Sequence, residues 1–347
     1  MPPERASAFA PGRVNLIGEH TDYNLGLALP FAIADGIIVH AERLDSGACI
    51  EVLAPDLGER DEFAVARPER VAGWRAFARG IVSELDQAGI EPPAALLRIS
   101  GGVQRGAGLS SSAALEVALC LALLGLARGE EVLDRREIAR LCSRAENVWV
   151  GAHTGLLDQL ASLFGAAETA LSIDFRTLEI DPVPLRLGKW RLATLDSGER
   201  HVHASSGYNE RRAECTRACE LLGVDSLRDA SYSAVEDLPE PLRRRARHVL
   251  GENARVREAV AALYADDLVE LARLLSASHA SLRDLYEVST PAVEAARARL
   301  LAAGAAGGRL IGGGFGGSVL GLFPPGSDPP PEAKCVWPGA GARMFFD

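Results

Sequence analysis

The chain has 347 residues, of which 48% are apolar and 24% charged, with a formal net charge of −10 and an isoelectric point near 5.3. That length exceeds what one hydrophobic core usually serves, so two domains are expected, and the apolar content is enough to bury both. The acidic balance argues against nucleic acid or an anionic membrane as partner and favours a small molecule. The opening "MPPERASAFAPGR" is polar and proline-rich rather than signal-like, and the longest apolar run, Val117 to Ala127, is shorter than the ~20 residues of a membrane span. A cytoplasmic chain, with no membrane partner and acting as a monomer, is the expectation. Six scattered cysteines read as reduced thiols, and Cys215 and Cys219, near His201 and His203, match no common zinc spacing.

Residues 6–53 alternate apolar, β-branched stretches with turn signals and predict antiparallel strands, while residues 72–88 carry helical periodicity. "ALLRIS" predicts a further strand running into the loop "GGVQRGAGL", followed by helices near 110–127, 135–149 and 155–164. Strands are expected near 170–187 and 190–197. The second half is mainly helical, near 205–222, 238–264, 266–281 and 290–303, and closes with "GRLIGGGFGGSVLGLF". Segregated strands and helices define an α+β protein, divided near residue 170 into domains 1–170 and 171–347. The run "RRRAR" at 243–247 reads as the solvated face of a helix, and His40, His153, His248 and His279 have no acid or nucleophile patterned with them.

Of the 37 basic residues only Lys189 and Lys334 are lysines, and neither is followed by Ser or Thr after a glycine-rich turn, which excludes a Walker-type phosphate loop. A phosphate must then be held by backbone amides, hydroxyls, arginines or a metal. "RGAGLSSSAALEVALCLALL" sets two glycines and three serines before a long apolar helix, which suits either a lysine-free phosphate cradle or an ordinary serine-capped helix start. "IGGGFGGSV" has G-x-G-x-x-G spacing, but "SVLGLF" after it reads as a strand, so the dinucleotide fingerprint fails and a tight glycine loop between strands remains. "PGRVNLIGEHTDYN" runs a strand into a cluster of carboxylates, an imidazole and a guanidinium, a set suited to a polyhydroxylated ligand because each hydroxyl both donates and accepts.

In order and spacing these three stretches resemble the motifs of the GHMP small-molecule kinases, and specifically the galactokinases. "RAENVWVGAHTGLLDQLASLFG", "GYNERRAEC", "HVLGENARVREA", "SHASLRDLYEVS" and the terminal "GAGAR" extend the similarity over nearly the whole chain. The resemblance implies an N-terminal ribosomal-S5-like domain and a C-terminal ferredoxin-like domain, with the active site in the cleft between them. It implies ATP-dependent, magnesium-requiring phosphorylation of the anomeric hydroxyl of galactose. Asp158 matches the catalytic aspartate and Arg13 the arginine that pairs with and orients it. Ser112 and Glu146 match the magnesium ligands. Gly106, Ala107, Gly108, Leu109, Ser110, Ser111 and Ser112 match the phosphate loop, and Trp74 the aromatic lining the adenine pocket. Glu19 and His20 match ligands of the exocyclic hydroxyl, Asp22 of the 3- and 4-hydroxyls, and Tyr208 the residue near the 4-hydroxyl. The alternatives are a kinase for N-acetylgalactosamine or arabinose, and a galactose and ATP sensor without turnover. The chain departs from the family pattern at Gly207 and Leu285, where acidic residues are usual.

Overall fold

In the computed structural model, residues 3–102, 108–129, 133–152, 154–199 and 204–346 are described, with 204–206 as backbone alone. In chain order the first half forms β1 (Arg5–Asn15), β2 (Leu27–Ala28), β3 (Pro30–Arg43), β4 (Cys49–Ala54), β5 (Glu59–Ala64), α1 (Arg75–Gln87), β6 (Ala95–Gly101), α2 (Ser111–Arg128), α3 (Arg135–Ala145) and α4 (Leu157–Phe164). The second half adds β7 (Thr169–Asp174), β8 (Glu179–Pro184), β9 (Arg191–Asp196), α5 (Ala204–Leu222), α6 (Tyr232–Glu236), α7 (Leu242–Tyr264), α8 (Leu268–Asp284), α9 (Pro291–Ala302), β10 (Gly307–Leu310), β11 (Ser318–Phe323), β12 (Lys334–Val336) and β13 (Arg343–Phe345).

Three sheets result, ordered β13-β1-β3-β6-β4-β5, β10-β11-β9-β12 and β2-β7-β8. The first is covered by α2, whose residues from Ala113 to Leu126 are all buried. A helix apolar on every side belongs inside a core, and Ala6, Ala8 and Ala10 of β1, with no bulk to hold it off, let it lie close to the sheet. By length and composition α2 could also cross a membrane; its burial here accounts for the same apolar sequence. A second core joins the two halves directly, packing Leu16, Phe31 and Ile33 against Leu263, Leu271 and Ile311. The cleft therefore has a continuous apolar floor rather than a hinge of loops.

Several details differ from the sequence reading. β4 runs parallel to β6, because β5 and α1 intervene as a crossover, so the first sheet is mixed rather than antiparallel. The chain does not divide at a single point: residue 170 falls within β7, which pairs with β2, and β13 returns from the end of the chain to pair with β1. The helix expected over 135–149 stops as an α-helix at Ala145 and widens into a π turn over Glu146–Val150. The loop between β10 and β11 joins antiparallel strands, as the failed dinucleotide pattern required.

The arginine run is only partly solvated. Arg243, Arg244 and Arg247 pair with surface glutamates, but Arg245 has a side chain 2% exposed, donating to Glu214 at 2.6 Å and to the Leu285 carbonyl at 2.5 Å. Residue 285 thus contributes its backbone oxygen, which needs no acidic side chain. Gly207 also has a local reason: a Cβ there would come within 2.6 Å of the Phe315 ring. Removing the buried guanidinium leaves the Leu285 carbonyl without its donor and Glu214 with Arg211 alone at 3.1 Å, so Arg245→Ala is expected to lower the unfolding free energy by about 2 kcal/mol. Arg247→Ala should leave the urea midpoint nearly unchanged, and equal midpoints for the two variants would contradict this reading.

Candidate active site

Strand β1 delivers Arg13 to the floor of the cleft, where its main chain and side chain do different work. Its backbone N–H donates to the Leu109 carbonyl at 3.0 Å, tying the first motif to the serine-rich one. Its guanidinium grips Asp158 Oδ1 through Nε at 2.7 Å and Nη2 at 2.6 Å, while Nη1 donates to the Gly108 carbonyl at 2.6 Å. Ser110, held in the left-handed region at φ 58°, donates its hydroxyl to the other oxygen of Asp158. Asp158 lies in the first turn of α4 with both oxygens oriented; Oδ1 is filled by the two arginine nitrogens, and Oδ2 keeps a lone pair for a further donor.

The loop after β1 is held from beneath by buried polar groups on the C-terminal helices. The Glu252 carboxylate accepts from Gly18 N–H at 2.9 Å, from Ser278 Oγ at 2.6 Å and from Arg255 Nε at 2.8 Å. His248 lies with Nε2 3.2 Å from the Glu19 carbonyl and Nδ1 2.8 Å from Ser281 Oγ. Asn253 Oδ1 accepts from Leu27 N–H at 2.8 Å. These bonds use the loop's backbone, which leaves its side chains free to face the cleft. Glu19 accepts from Gly312 N–H at 2.8 Å and sits 3.3 Å from Arg309, which is fully buried. His20 adopts φ 62°, a conformation uncommon outside glycine and concentrated at functional sites. Asp22 lies so close to Gly155 that a Cβ there would fall 1.9 Å from its Oδ2, so any side chain at 155 would displace the Asp22 carboxyl.

On the far side of Asp158 the first N–H groups of α2 open toward the cleft, with no side chain capping them. The π turn that begins at Glu146 brings its carboxyl alongside the Ser112 hydroxyl, and Thr154 and Gln159 donate to Glu146 Oε2 at 2.7 and 3.0 Å. The same Gln159 amide reaches Glu116 at 3.0 Å, a wholly buried carboxyl on α2.

One cavity of about 370 Å³ unites these groups: Arg13, Glu19, His20, Asp22, Asp158 and Tyr208 line it, as do Glu146 and residues 108–112. Ser111 and Ser112 also border a second cavity of about 200 Å³, walled by Leu57, Trp74, Phe77 and Ile99. Trp74 donates its N–H to Glu59 at 2.9 Å, and the Arg75 guanidinium lies 5.1 Å from its ring centre. Gly106 and Ala107 lie outside the described residues, as do His153, His201 and His203.

Burial sets the charge states. It pushes the Asp22 carboxyl up to about 6, helped by the neighbouring charges of Asp158 and Glu19, and it raises Glu19 and Glu146. His20 is driven down to about 3 by burial, so the imidazole is neutral. Glu252 goes the other way: burial opposes its charge, but Arg255, His248 and Arg309 together hold it at about 2.

Thus the structure brings Arg13, Glu19, His20, Asp22, Asp158, Tyr208, Glu146 and the described part of the serine loop to one cavity, with Trp74 in the adjoining one. Sequence reasoning passed over Arg309, Gln159, Thr154, Gly155 and Glu116, and left His248 without a task. His248 and Glu252 were open to discovery, since they share a helical face in "HVLGEN" at i, i+4. Nothing local marks Arg309, an arginine inside a glycine-rich strand.

Comparison with known proteins identifies the family. The galactokinase galactose-binding signature matches residues 2–43, the GHMP kinases N terminal domain residues 75–166, and the GHMP kinases C terminal domain residues 259–336. The galactokinase of Mycobacterium tuberculosis strain H37Rv is 45% identical over 321 residues, covering 91% of this chain and 88% of its own length. That of Streptomyces coelicolor is 42% identical over 323 residues, covering 90% and 82%. The crystal structure of Lactococcus lactis galactokinase complexed with galactose superposes with a TM-score of 0.89 at 30% identity, covering 98% of this chain and 95% of that one. Methanococcus jannaschii mevalonate kinase shares the fold, with a TM-score of 0.67 at 19% identity over 92% and 90% of the two chains. A two-domain α+β fold with a serine-rich helix start and a glycine hairpin on one cleft defines the GHMP class. The chain belongs to the galactokinase family of these kinases and is a sugar kinase.

The depressed Glu252 gives a stability test. Its folded value of about 2 lies below the ordinary 4.5, so its contribution is complete above pH 4.5 and is lost as pH falls toward 2. The difference corresponds to about 3 kcal/mol. Denaturant titrations at a series of pH values should show Glu252→Gln less stable than the parent at neutral pH, with the gap closing on acidification. A gap that stays constant with pH would show that the charge on Glu252 does not support the fold.

Proposed function

We propose that this chain transfers the γ-phosphoryl group of ATP to the anomeric hydroxyl of galactose, yielding galactose 1-phosphate and ADP. The observation that carries this is the position of Asp158, held between Arg13 and Ser110, with the signature carboxylates on one side and the open end of α2 on the other. The sugar occupies the side lined by Glu19, His20, Asp22 and Tyr208. Glu19 and His20 meet the exocyclic hydroxyl, Asp22 the 3- and 4-hydroxyls, and Tyr208 the 4-hydroxyl. Asp158 accepts the proton of the anomeric hydroxyl as phosphorus arrives, and Arg13 keeps the carboxylate aimed. Phosphoryl transfer is largely dissociative and asks more for positioning than for a strong base, which suits an aspartate fixed at both oxygens.

The nucleotide lies along the serine loop, Gly106 to Ser112, with its base in the smaller cavity beside Trp74. Ser112 and Glu146 would hold Mg²⁺. A hydroxyl and a carboxyl lining the same cavity, the carboxyl pKa raised by burial and by the neighbouring Asp158 charge, fit a hard cation that retains water ligands. When bound, the cation neutralises charge on the phosphate oxygens. The chain's net charge of −10 argues against nucleic acid or an anionic membrane as partner, and we propose a cytoplasmic monomer acting on small molecules.

ADP release measured with ATP, magnesium and a panel of galactose, glucose, N-acetylgalactosamine and arabinose tests the substrate. Galactose should be turned over fastest; faster turnover of another sugar, or of none, would overturn the assignment. Asp158→Asn should slow turnover by about 10²- to 10⁴-fold while calorimetric galactose binding persists. Near-normal rates would remove Asp158 from its role. Glu146→Ala should raise the magnesium concentration for half-maximal rate by about 10-fold or more, and an unmoved magnesium titration would count against it as a ligand.

A further inference from the structure

His20 is hydrogen-bonded at both ring nitrogens, and one partner dictates which nitrogen carries hydrogen. Nε2 lies 3.2 Å from the Gly313 carbonyl, which can only accept, so the hydrogen is on Nε2. A neutral imidazole has no second N–H, and Nδ1, 2.8 Å from the Tyr23 hydroxyl, must accept from it. The Tyr23 oxygen has then used its one hydrogen and takes that of Tyr286, 2.9 Å away. Tyr286 in turn accepts from the Cys215 thiol at 3.0 Å, and the sulfur lies 3.6 Å from Asn24 Nδ2. The Asn24 amide is oriented independently, because it donates to the His20 carbonyl at 2.8 Å. Every bond in the series thus runs in one direction, from Asn24 through Cys215, Tyr286, Tyr23 and His20 to Gly313.

His20, Cys215 and Tyr286 are buried, and neither Tyr23, Tyr286 nor Cys215 is among the residues lining the cavity. The imidazole they support lies 4.7 Å, centre to centre, from the Tyr286 ring and 5.3 Å from that of Tyr208. We infer that Tyr23 and Tyr286, backed by Cys215, are positioning residues that hold the His20 ring in its Nε2–H tautomer, with that hydrogen on the Gly313 carbonyl, at the sugar side of the cavity. The consequence is that the imidazole ties the signature loop to the glycine loop between β10 and β11 and fixes the wall of the cavity against which Glu19 and Asp22 present their carboxyl oxygens. Burial keeps the ring neutral, in accord with that assignment. The kinetic part of this inference rests on the sugar-kinase reading above; the hydrogen-bond part does not.

The test uses the full-length protein labelled with ¹⁵N at its seven histidines, with His20 assigned by its loss in His20→Gln. The parent should show a pyrrole-type Nε2 and a hydrogen-bonded pyridine-type Nδ1 at neutral pH. Tyr23→Phe should move Nδ1 to the value of an unbonded nitrogen, and Tyr286→Phe should move it less, in the same direction, since a donor that has lost its own donor is weakened. In turnover, Tyr23→Phe should raise the sugar KM by about 3- to 10-fold, with the ATP KM little changed. A pyrrole-type Nδ1 in the parent, or an Nδ1 shift that neither variant moves, overturns the relay. So does a loss confined to kcat with the sugar KM unmoved. A parent protein that phosphorylates no sugar would overturn the functional reading and not the relay, whose nitrogen shifts are read without turnover. If Tyr23→Phe does not fold, Tyr286→Phe and the parent spectrum still decide.

Discussion

The guanidinium of Arg13 is the point on which the site turns. It is a planar fork, and the structure uses both faces of that fact: two nitrogens converge on one oxygen of Asp158 and the third reaches the Gly108 carbonyl. With the backbone bond to Leu109, one residue of the first strand thereby fixes the relative placement of the signature strand, the serine loop and the first turn of α4. A lysine in its place could pair with the aspartate but could not hold the carbonyl at a set angle to it. Because Arg13 is nearly buried, these bonds are screened little by solvent, and they hold the aspartate in a fixed direction.

The second constraint is the polar layer under the signature loop. Glu252, His248 and Asn253 bond to backbone groups of residues 18, 19 and 27, and Ser278 and Ser281 complete their partners from α8. An apolar layer would pack as well, but it would not fix the loop's amides and carbonyls in direction, and an unpaired buried amide is costly. Holding the loop by its backbone frees three neighbouring polar side chains, Glu19, His20 and Asp22, to face one cavity. It also supports His20 in its left-handed conformation, which the Asn24 amide ties down at the carbonyl. The segments "HVLGENARVREA" and "SHASLRDLYEVS", distant from the cleft in sequence, are thus the support of the first motif rather than separate features.

Much of the fold was legible because its elements are locally consistent: the alternation of the first strands, the apolar run of α2 and the strand after the glycine loop all read correctly. The parallel pairing of β4 and the return of β13 were not, since partner choice between strands depends on crossovers and chain ends that no window of sequence contains. The site divided in the same way. Arg13, Glu19, His20, Asp22, Ser112, Glu146 and Asp158 could be named from motifs. Arg309, Gln159 and Tyr286 could not, because each acts through a residue far away in the chain.

The sequence alone determined the class of chemistry. A nearly lysine-free chain with a glycine and serine helix start has no Walker-type loop and can hold a phosphate only through amides, hydroxyls, arginines or a metal, and a strand ending in mixed charges suits a polyhydroxylated ligand. Only the tertiary structure decided which of those charges are ionised and which way their hydrogens point. Charge and hydrogen direction depend on burial and on partners brought within about 3 Å by folding, and residues 20 and 313, or 18 and 252, become neighbours only when the second half of the chain closes beneath the first.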